Sequence, residues 1–199
     1  MTNINLIKFE NSDYDKKLLI IGVFHGDEIQ GEYFINSYLE KTSKAGKNSL
    51  YFIPKLNPSG VRKNKNNVDL NRNFPTINWE LGDKNSNYFG GCEPASETET
   101  KYLVDLINKN SFSAIITIHA PYKTVNYDGP AEALAQITSK IIGYPVSSDI
   151  GYATPGSFGT YCGKERQVPT LTIEIDEEEN MELLNKKFHT LFDYLKNEF

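Results

Sequence analysis

The sequence predicts an α/β fold, a single-domain three-layer α/β/α sandwich around a mixed, largely parallel central sheet. Three observations carry this expectation. Apolar runs of strand length alternate with stretches of helical periodicity along the chain. Two of the runs, Leu18–Phe24 and Phe112–Ile118, are rich in isoleucine and lack period-two alternation, as strands covered on both faces do. The length of 199 residues lies within the size of one domain, so residues 1–199 read as a single unit.

Taken in order, Leu18–Phe24 is the first buried strand. Asp27 stands where it can cap a following helix whose third residue is Gln30. Leu50–Leu56 reads as a half-exposed or edge strand. Residues 57–95 then hold no sustained periodicity, carry seven Asn in their first 22 positions, and repeat Pro and Gly. Loops of that length in a compact domain are usually functional or disordered, and Val68, Leu70 and Phe74 supply too many apolar anchors for a floppy linker. Ser96 and Glu99 form a capping box ahead of Tyr102, Leu103, Leu106 and Ile107. Phe112–Ile118 is the second buried strand. Leu134, Ile137 and Ile141 mark another helix, and Val168–Ile175 another half-exposed or edge strand. Asp176–Glu179 is a charge run positioned to compensate a helix dipole. Met181, Leu184, Phe188, Leu191 and Leu195 then step by three and four along the last helix.

Composition excludes several function classes. The 39% apolar share, with 14 Gly added, comes to about 46%, ordinary for a globular chain and too high for global disorder. A net charge of −5 and a pI of 5.3 oppose binding to phosphate backbones, so no nucleic-acid partner is expected. The longest apolar run, Leu18–Phe24, falls far short of the roughly 20 residues that cross a bilayer. The first 15 residues lack the basic-then-apolar pattern of a secretory leader. The expectation is a soluble, cytoplasmic protein with no membrane partner. Cys92 and Cys162 are too few for a disulfide scaffold and read as free thiols.

Chemistry-bearing residues gather at strand ends. His25 and Glu28 follow the first buried strand, and the pair is either half of a metal site or part of a helix cap. His119 ends the second buried strand and is either a ligand or a satisfied core histidine. Two His with one carboxylate, and a fourth position left to water, is a ligand set of catalytic zinc. His189 lies beside Phe188 on the last helix and reads as a packing or surface residue. Alternation puts Leu171, Ile173 and Ile175 on one strand face and Thr172, Glu174 and Asp176 on the other. Glu174 is therefore either solvated or aimed into a cleft, where it would serve as a base. Asn71 and Arg72 offer a guanidinium fork with amide donors, suited to a substrate carboxylate or to a loop salt bridge.

Six segments in order resemble the zinc carboxypeptidase family: His25-Gly26-Asp27-Glu28, Asn57-Pro58-Ser59-Gly60, Val68-Asp69-Leu70-Asn71-Arg72-Asn73-Phe74, Pro94-Ala95-Ser96-Glu97-Thr98-Glu99-Thr100, Thr117-Ile118-His119 and Thr172-Ile173-Glu174. Ala153-Thr154-Pro155-Gly156-Ser157-Phe158-Gly159 further resembles the murein peptide amidase branch, whose members cut the γ-D-glutamyl–diaminopimelate bond of cell-wall peptides. The resemblance implies one Zn²⁺ held by His25, Glu28 and His119, with Glu174 as general base. It implies that Asn71 and Arg72 bind the terminal carboxylate of a small peptide. It also implies that Arg62 polarises the scissile carbonyl and that Tyr152 is the mobile active-site tyrosine, with Lys63 and Tyr161 the competing alignments. Ala120-Pro121 and Asn67 depart from the family pattern without touching these positions. The implied activity is a zinc-dependent carboxypeptidase or amidase. The alternatives are a deacylase of N-acyl amino acids and a non-enzymatic carboxylate-binding module.

Overall fold

A computed structural model describes residues 4–42 and 46–199. Residues 1–3, which begin the stretch read for a leader, and residues 43–45 lie outside the described residues. In chain order the elements are β1 (Ile7–Phe9), β2 (Lys17–Ile21), α1 (Gln30–Lys41), β3 (Ser49–Ile53), α2 (Thr98–Lys109), β4 (Ala114–His119), β5 (Thr124–Asp128), α3 (Glu132–Ile142), β6 (Val146–Ser147), β7 (Thr170–Glu174) and α4 (Met181–Asn197). The strands form one sheet of order β1-β3-β2-β4-β7-β5-β6. β3, β2, β4 and β7 run parallel, β5 and β6 are parallel to each other, and the β1–β3 and β5–β7 pairs are antiparallel. The expected mixed, largely parallel sheet is therefore present.

The three layers follow from strand alternation. Leu18, Ile20, Leu50, Phe52, Ile116 and Ile118 face α1, α3 and α4, meeting Phe34, Leu134, Leu184 and Phe188. Leu19, Ile21, Tyr51, Ile53 and Ile115 face the other way, onto Leu103 and Ile107 of α2 and onto Leu70, Phe74 and Phe158 from the long connections. Side chains on successive strand residues point to opposite faces, so continuous apolar runs supply both cores at once. Helix α1 lies unusually close to the sheet because two glycines face each other. A Cβ on Gly31 would stand 2.9 Å from Gly22 Cα and 3.2 Å from Ile118 Cβ, and one on Gly22 would meet Pro54 O at 2.5 Å.

Several expectations are corrected. Leu50–Leu56 and Val168–Ile175 are not half-exposed edge strands. β3 is buried throughout and β7 lies centrally between β4 and β5. Three short strands cover their flanks, and β1 (three residues), β5 and β6 (two residues) are too short or too polar to register as apolar runs. The first strand ends at Ile21 rather than Phe24, because Val23 takes a positive φ of 49° that leaves the ladder. Asp27 does not cap α1, whose first turn follows Ile29 without a side-chain cap. Ser96 does not take the N-cap position of α2 either. The N-cap is Glu97, and Ser96 Oγ bonds Glu97 Oε1 while accepting from Asn73 Nδ2. On α3 the buried face is Leu134, Ala135, Thr138 and Ile142, turned slightly from the stripe read through Ile137 and Ile141. The charge run precedes α4, which is capped by Asn180. Two of its acids are engaged in ion pairs, Asp176 with Lys123 and Glu179 with Lys187. Among the described residues no helix is long and apolar enough to cross a membrane.

Candidate metal centre and substrate cleft

The carboxyl ends of β2, β4 and β7 converge on one cleft of about 630 Å³, where parallel α/β sheets commonly bind ligands. A tight turn follows β2, with the Glu28 N–H donating to His25 O at 3.1 Å. This turn, rather than a cap, explains the three-residue spacing. It sets His25 Nδ1 2.7 Å from Glu28 Oε1. His119, the last residue of β4, places Nδ1 3.0 Å from Glu28 Oε2. The two imidazoles meet edge to face at 4.9 Å, and Phe24 stacks on His119 at 5.4 Å.

One donor atom from each of His25, Glu28 and His119 lies within 4.8 Å of the others, and all three residues are buried. Zn–N and Zn–O bonds of about 2 Å put donors on one ion no more than about 4 Å apart, so a small closure suffices. Glu28 Oε2 is buried, yet it lacks an aligned hydrogen bond despite its contact with His119. A nitrogen–oxygen donor set around a carboxylate with an unsatisfied buried oxygen fits zinc.

The titratable groups of the site interact strongly with one another. Burial opposes charge on Glu28, but the imidazoles of His119 and His25 outweigh it and hold the carboxyl at about 2. Burial likewise opposes a charged His25, but hydrogen bonds to Asp69 and Glu28 push the imidazole up to about 9. Asp69 is fully buried, with Oδ1 3.2 Å from His25 Nε2. It also accepts from the Asn71 N–H at 2.9 Å and from Arg62 Nη2 at 3.2 Å. Burial is again outweighed, here mainly by His25, and Asp69 falls to about 2. Sequence reasoning missed Asp69 as a site residue. The available signal was an Asp inside a segment already singled out, flanked by buried Val68 and Leu70.

Glu174 ends β7 in register with His119 and is only 8% exposed. It is not solvated. Burial and the nearby Glu28 push its carboxyl above the usual range, with His119 and His25 pulling the other way. Its Oε2 has no partner among the described residues and faces the cleft.

The remaining candidates come from the long connection, which is irregular but tied down. Its asparagines satisfy the backbone that a strand or helix would satisfy elsewhere. Asn57 Nδ2 donates to Arg62 O, Asn64 Oδ1 accepts from the Asn66 and Val68 N–H groups, and Asn73 Nδ2 donates to Gly90 O at 2.7 Å. Asn71 Oδ1 accepts from the Phe158 N–H at 2.9 Å, and Arg72 Nη1 donates to Asn71 O at 2.6 Å. Arg62, Asn71 and Arg72 all line the cleft. Each guanidinium sits 5.3 Å from the ring centre of Tyr88, a second residue that sequence reasoning missed.

The competing alignments separate clearly in space. Lys63 turns away from the cleft, its Nζ on Ser86 O at 3.0 Å. Tyr161 is fully buried beneath Phe74, whereas Tyr152 is 42% exposed on the cleft wall, 6.4 Å from Tyr88. His189 packs edge-on against Tyr38 at 5.4 Å, far from this site in the α1–α4 layer. Cys162 is buried and Cys92 exposed, both free.

Residues 2–140 match the model of the family described as zinc carboxypeptidase. The chain is 37% identical over 134 residues to the murein peptide amidase A of Vibrio campbellii, covering 61% of this chain and 53% of that protein. It is 30% identical over 159 residues to the enzyme of the same name from Escherichia coli K12, covering 72% and 65%. The aligned part thus falls short of two thirds of either relative's length. The crystal structure of murein-tripeptide amidase MpaA from Escherichia coli O157 superposes with a TM-score of 0.82 at 26% identity, covering 96% of this chain and 85% of that one. Glu174 and Tyr152 lie past residue 140, outside the part of the chain that the family model matches. With more than half of its sequence inside that one family model and nearly all of its fold shared with a solved relative, the chain belongs to the zinc carboxypeptidase family.

Proposed function

We propose that this protein is a zinc-dependent carboxypeptidase or amidase that hydrolyses the C-terminal amide bond of small peptides, with peptidoglycan fragments of the γ-D-glutamyl–diaminopimelate type as substrates. The observation that carries the reading is the convergence of His25, Glu28 and His119 beside a buried Glu174 whose Oε2 is unpartnered. His25, Glu28 and His119 would hold one zinc ion, which when bound supplies Lewis acidity and lowers the pKa of its water from 15.7 toward about 7.

The chain's own residues supply the rest. The Arg72 guanidinium and the Asn71 amide receive the substrate's free carboxylate, so that only the terminal bond reaches Glu174. Glu174, shielded from solvent and above the ordinary carboxylate range, takes a proton from the attacking water and passes it to the leaving amine. Arg62, anchored on Asp69 and 3.8 Å from Glu28 Oε1, meets the negative charge that develops on the scissile carbonyl oxygen. Tyr152 is the movable wall over the bound peptide. The names of the aligned relatives favour a peptide over an N-acyl amino acid. Two free thiols suit a reducing compartment, which supports cytoplasmic action.

Glu174→Gln tests the reading. The variant should keep its zinc content and its fold while cleavage of a murein tripeptide drops by roughly 10²–10⁴-fold, the usual share of a general base. Near-normal turnover would remove Glu174 from the mechanism, and faster cleavage of an N-succinylated amino acid than of the tripeptide would replace the substrate class.

A further inference from the structure

Residues 86–90 of the long connection are tied to both segments that carry the cleft's arginines. Lys63, next to Arg62, donates from Nζ to Ser86 O at 3.0 Å, and the Tyr88 N–H donates to Ser86 Oγ at 3.1 Å. Phe89 is buried and its carbonyl accepts from the Asp69 N–H at 2.8 Å, while Gly90 O accepts from Asn73 Nδ2 at 2.7 Å. A Cβ on Gly90 would collide with Arg72 O, so the two backbones lie closer than any residue with a side chain allows. Backbone contacts on both sides therefore set the Tyr88 side chain. Its half-exposed ring lies over two guanidiniums, with Arg62 Cζ and Arg72 Cζ each 5.3 Å from the ring centre. Arg62 and Arg72 line the cleft, whereas Tyr88 stands beside it.

The two arginines depend on that ring to different degrees. Arg62 Nη2 bonds Asp69 Oδ2 at 3.2 Å and Nη1 lies 3.8 Å from Glu28 Oε1, so carboxylates hold its edge. Arg72 is buried, its side chain forms no ion pair among the described residues, and its single hydrogen bond goes to Asn71 O. A buried guanidinium without a counter-charge is costly, and left to itself it turns toward whatever compensates it. The negative face of an aromatic ring supplies compensation without using up N–H groups. The fork thus stays open for an incoming carboxylate, which takes two parallel N–H donors.

We propose that Tyr88 is the positioning residue of the carboxylate clamp: its ring holds the Arg72 guanidinium with donors turned into the cleft, and this requires the ring but not the hydroxyl. Tyr88 acts through Arg72 and does not touch the substrate. Arg62, anchored on Asp69, keeps its place without the ring, so binding depends on Tyr88 more than turnover does. This rests on the peptide-hydrolase reading and adds to it a need for an aromatic face behind the binding arginine.

The test compares the zinc-loaded full chain with Tyr88→Leu and Tyr88→Phe on a murein tripeptide. Tyr88→Leu should raise KM about 10-fold, the scale of a desolvated cation–π contact, and lower kcat by no more than about 3-fold. Tyr88→Phe should bring both parameters back to within about 2-fold of the parent, since it keeps the ring face. An unchanged KM in Tyr88→Leu, a kcat that falls as far as KM rises, or a Tyr88→Phe no better than Tyr88→Leu overturns the proposal. Calorimetry on the Glu174→Gln background, where the bond survives, separates the clamp from the reaction. That background should hold the tripeptide about 10-fold more tightly than its C-terminal amide, and adding Tyr88→Leu should remove most of the preference by weakening the carboxylate form alone. Equal weakening of both forms, or no preference to begin with, overturns the proposal. A parent that cleaves no tripeptide overturns the hydrolase reading, and the calorimetric comparison then decides Tyr88 by itself.

Discussion

His25, Glu28 and His119 stand at the carboxyl ends of two neighbouring parallel strands, whereas Arg62, Asn71 and Arg72 stand on a 39-residue connection whose only helical piece is the single 3-10 turn Leu70–Arg72. Both groups face one cleft. The first is positioned by a backbone ladder and two hydrophobic layers, so its geometry is a by-product of the fold's most stable part. The second is positioned by side-chain amides acting one by one on loop carbonyls and N–H groups. Asp69 joins the two, touching His25 on one side and Arg62 and Asn71 on the other. Irregular backbone can thus be as well placed as a strand end, but its order depends on individual hydrogen bonds, each removable by one substitution.

That contrast can be broken at several points. The largest effect is expected at the strand-borne group. Glu28→Gln should abolish measurable zinc binding and lower peptide cleavage by at least about 10³-fold, and it should also lower the thermal transition of the metal-free protein, because it removes the buried carboxylate that pairs with His25 and His119. Metal analysis and calorimetry on the same sample check it, and a zinc-replete variant would contradict the assigned ligand set.

The bridging residue comes next. Asp69→Asn retains shape but weakens the hold on His25, and zinc affinity should fall about 10–100-fold, as usual for partners behind metal-binding histidines. Competition with a chromogenic chelator reads this directly. An unchanged affinity would mean that the loop and the strand ends are independent.

Within the loop, Asn73→Ala removes the donor to Gly90 O and Ser96 Oγ and the acceptor for the Glu97 N–H. Leaving several of these buried groups unpaired should cost about 2 kcal/mol of stability and raise KM more than it lowers zinc affinity. Urea unfolding and a metal titration separate the two effects.

The smallest effect lies outside both groups. Burial opposes charge on Glu179, but Lys187 at 2.6 Å and the Tyr144 hydroxyl hold its carboxyl below the usual range. A lowered folded value means that the stabilisation is present above the ordinary carboxylate range and is lost as pH falls through the folded value. Glu179→Gln should therefore cost about 0.5–1 kcal/mol near pH 7, and the difference from the parent should shrink steadily as unfolding is repeated toward acid pH.

Legibility divided along the same line. The two buried strands could be read because isoleucine-rich runs need cover on both faces, and His25 and His119 could be noticed because each follows such a run. The short strands β1, β5 and β6 could not, since two to five residues of mixed polarity carry no period of their own and pair only because β3, β7 and β5 in turn offer free edges. The two expected caps failed for a related reason. Asp27 sits inside the turn that brings Glu28 to His25, and Ser96 is engaged by Asn73 from the loop. Local propensity lost to contacts made elsewhere in the chain.

What the amino-acid order fixed unaided was the alternation of strand and helix, the two cores they build, and the residue types available at the strand ends, because periodicity and burial are properties of short segments. What only the folded molecule decided was which polar groups meet. Glu174 could as easily have faced water, Asp69 carried no mark of its own, and Asp128 acquires its neighbours from a turn more than thirty residues away. Charged and amide groups act over a few ångströms, so their chemistry is set by distances that sequence separation does not encode.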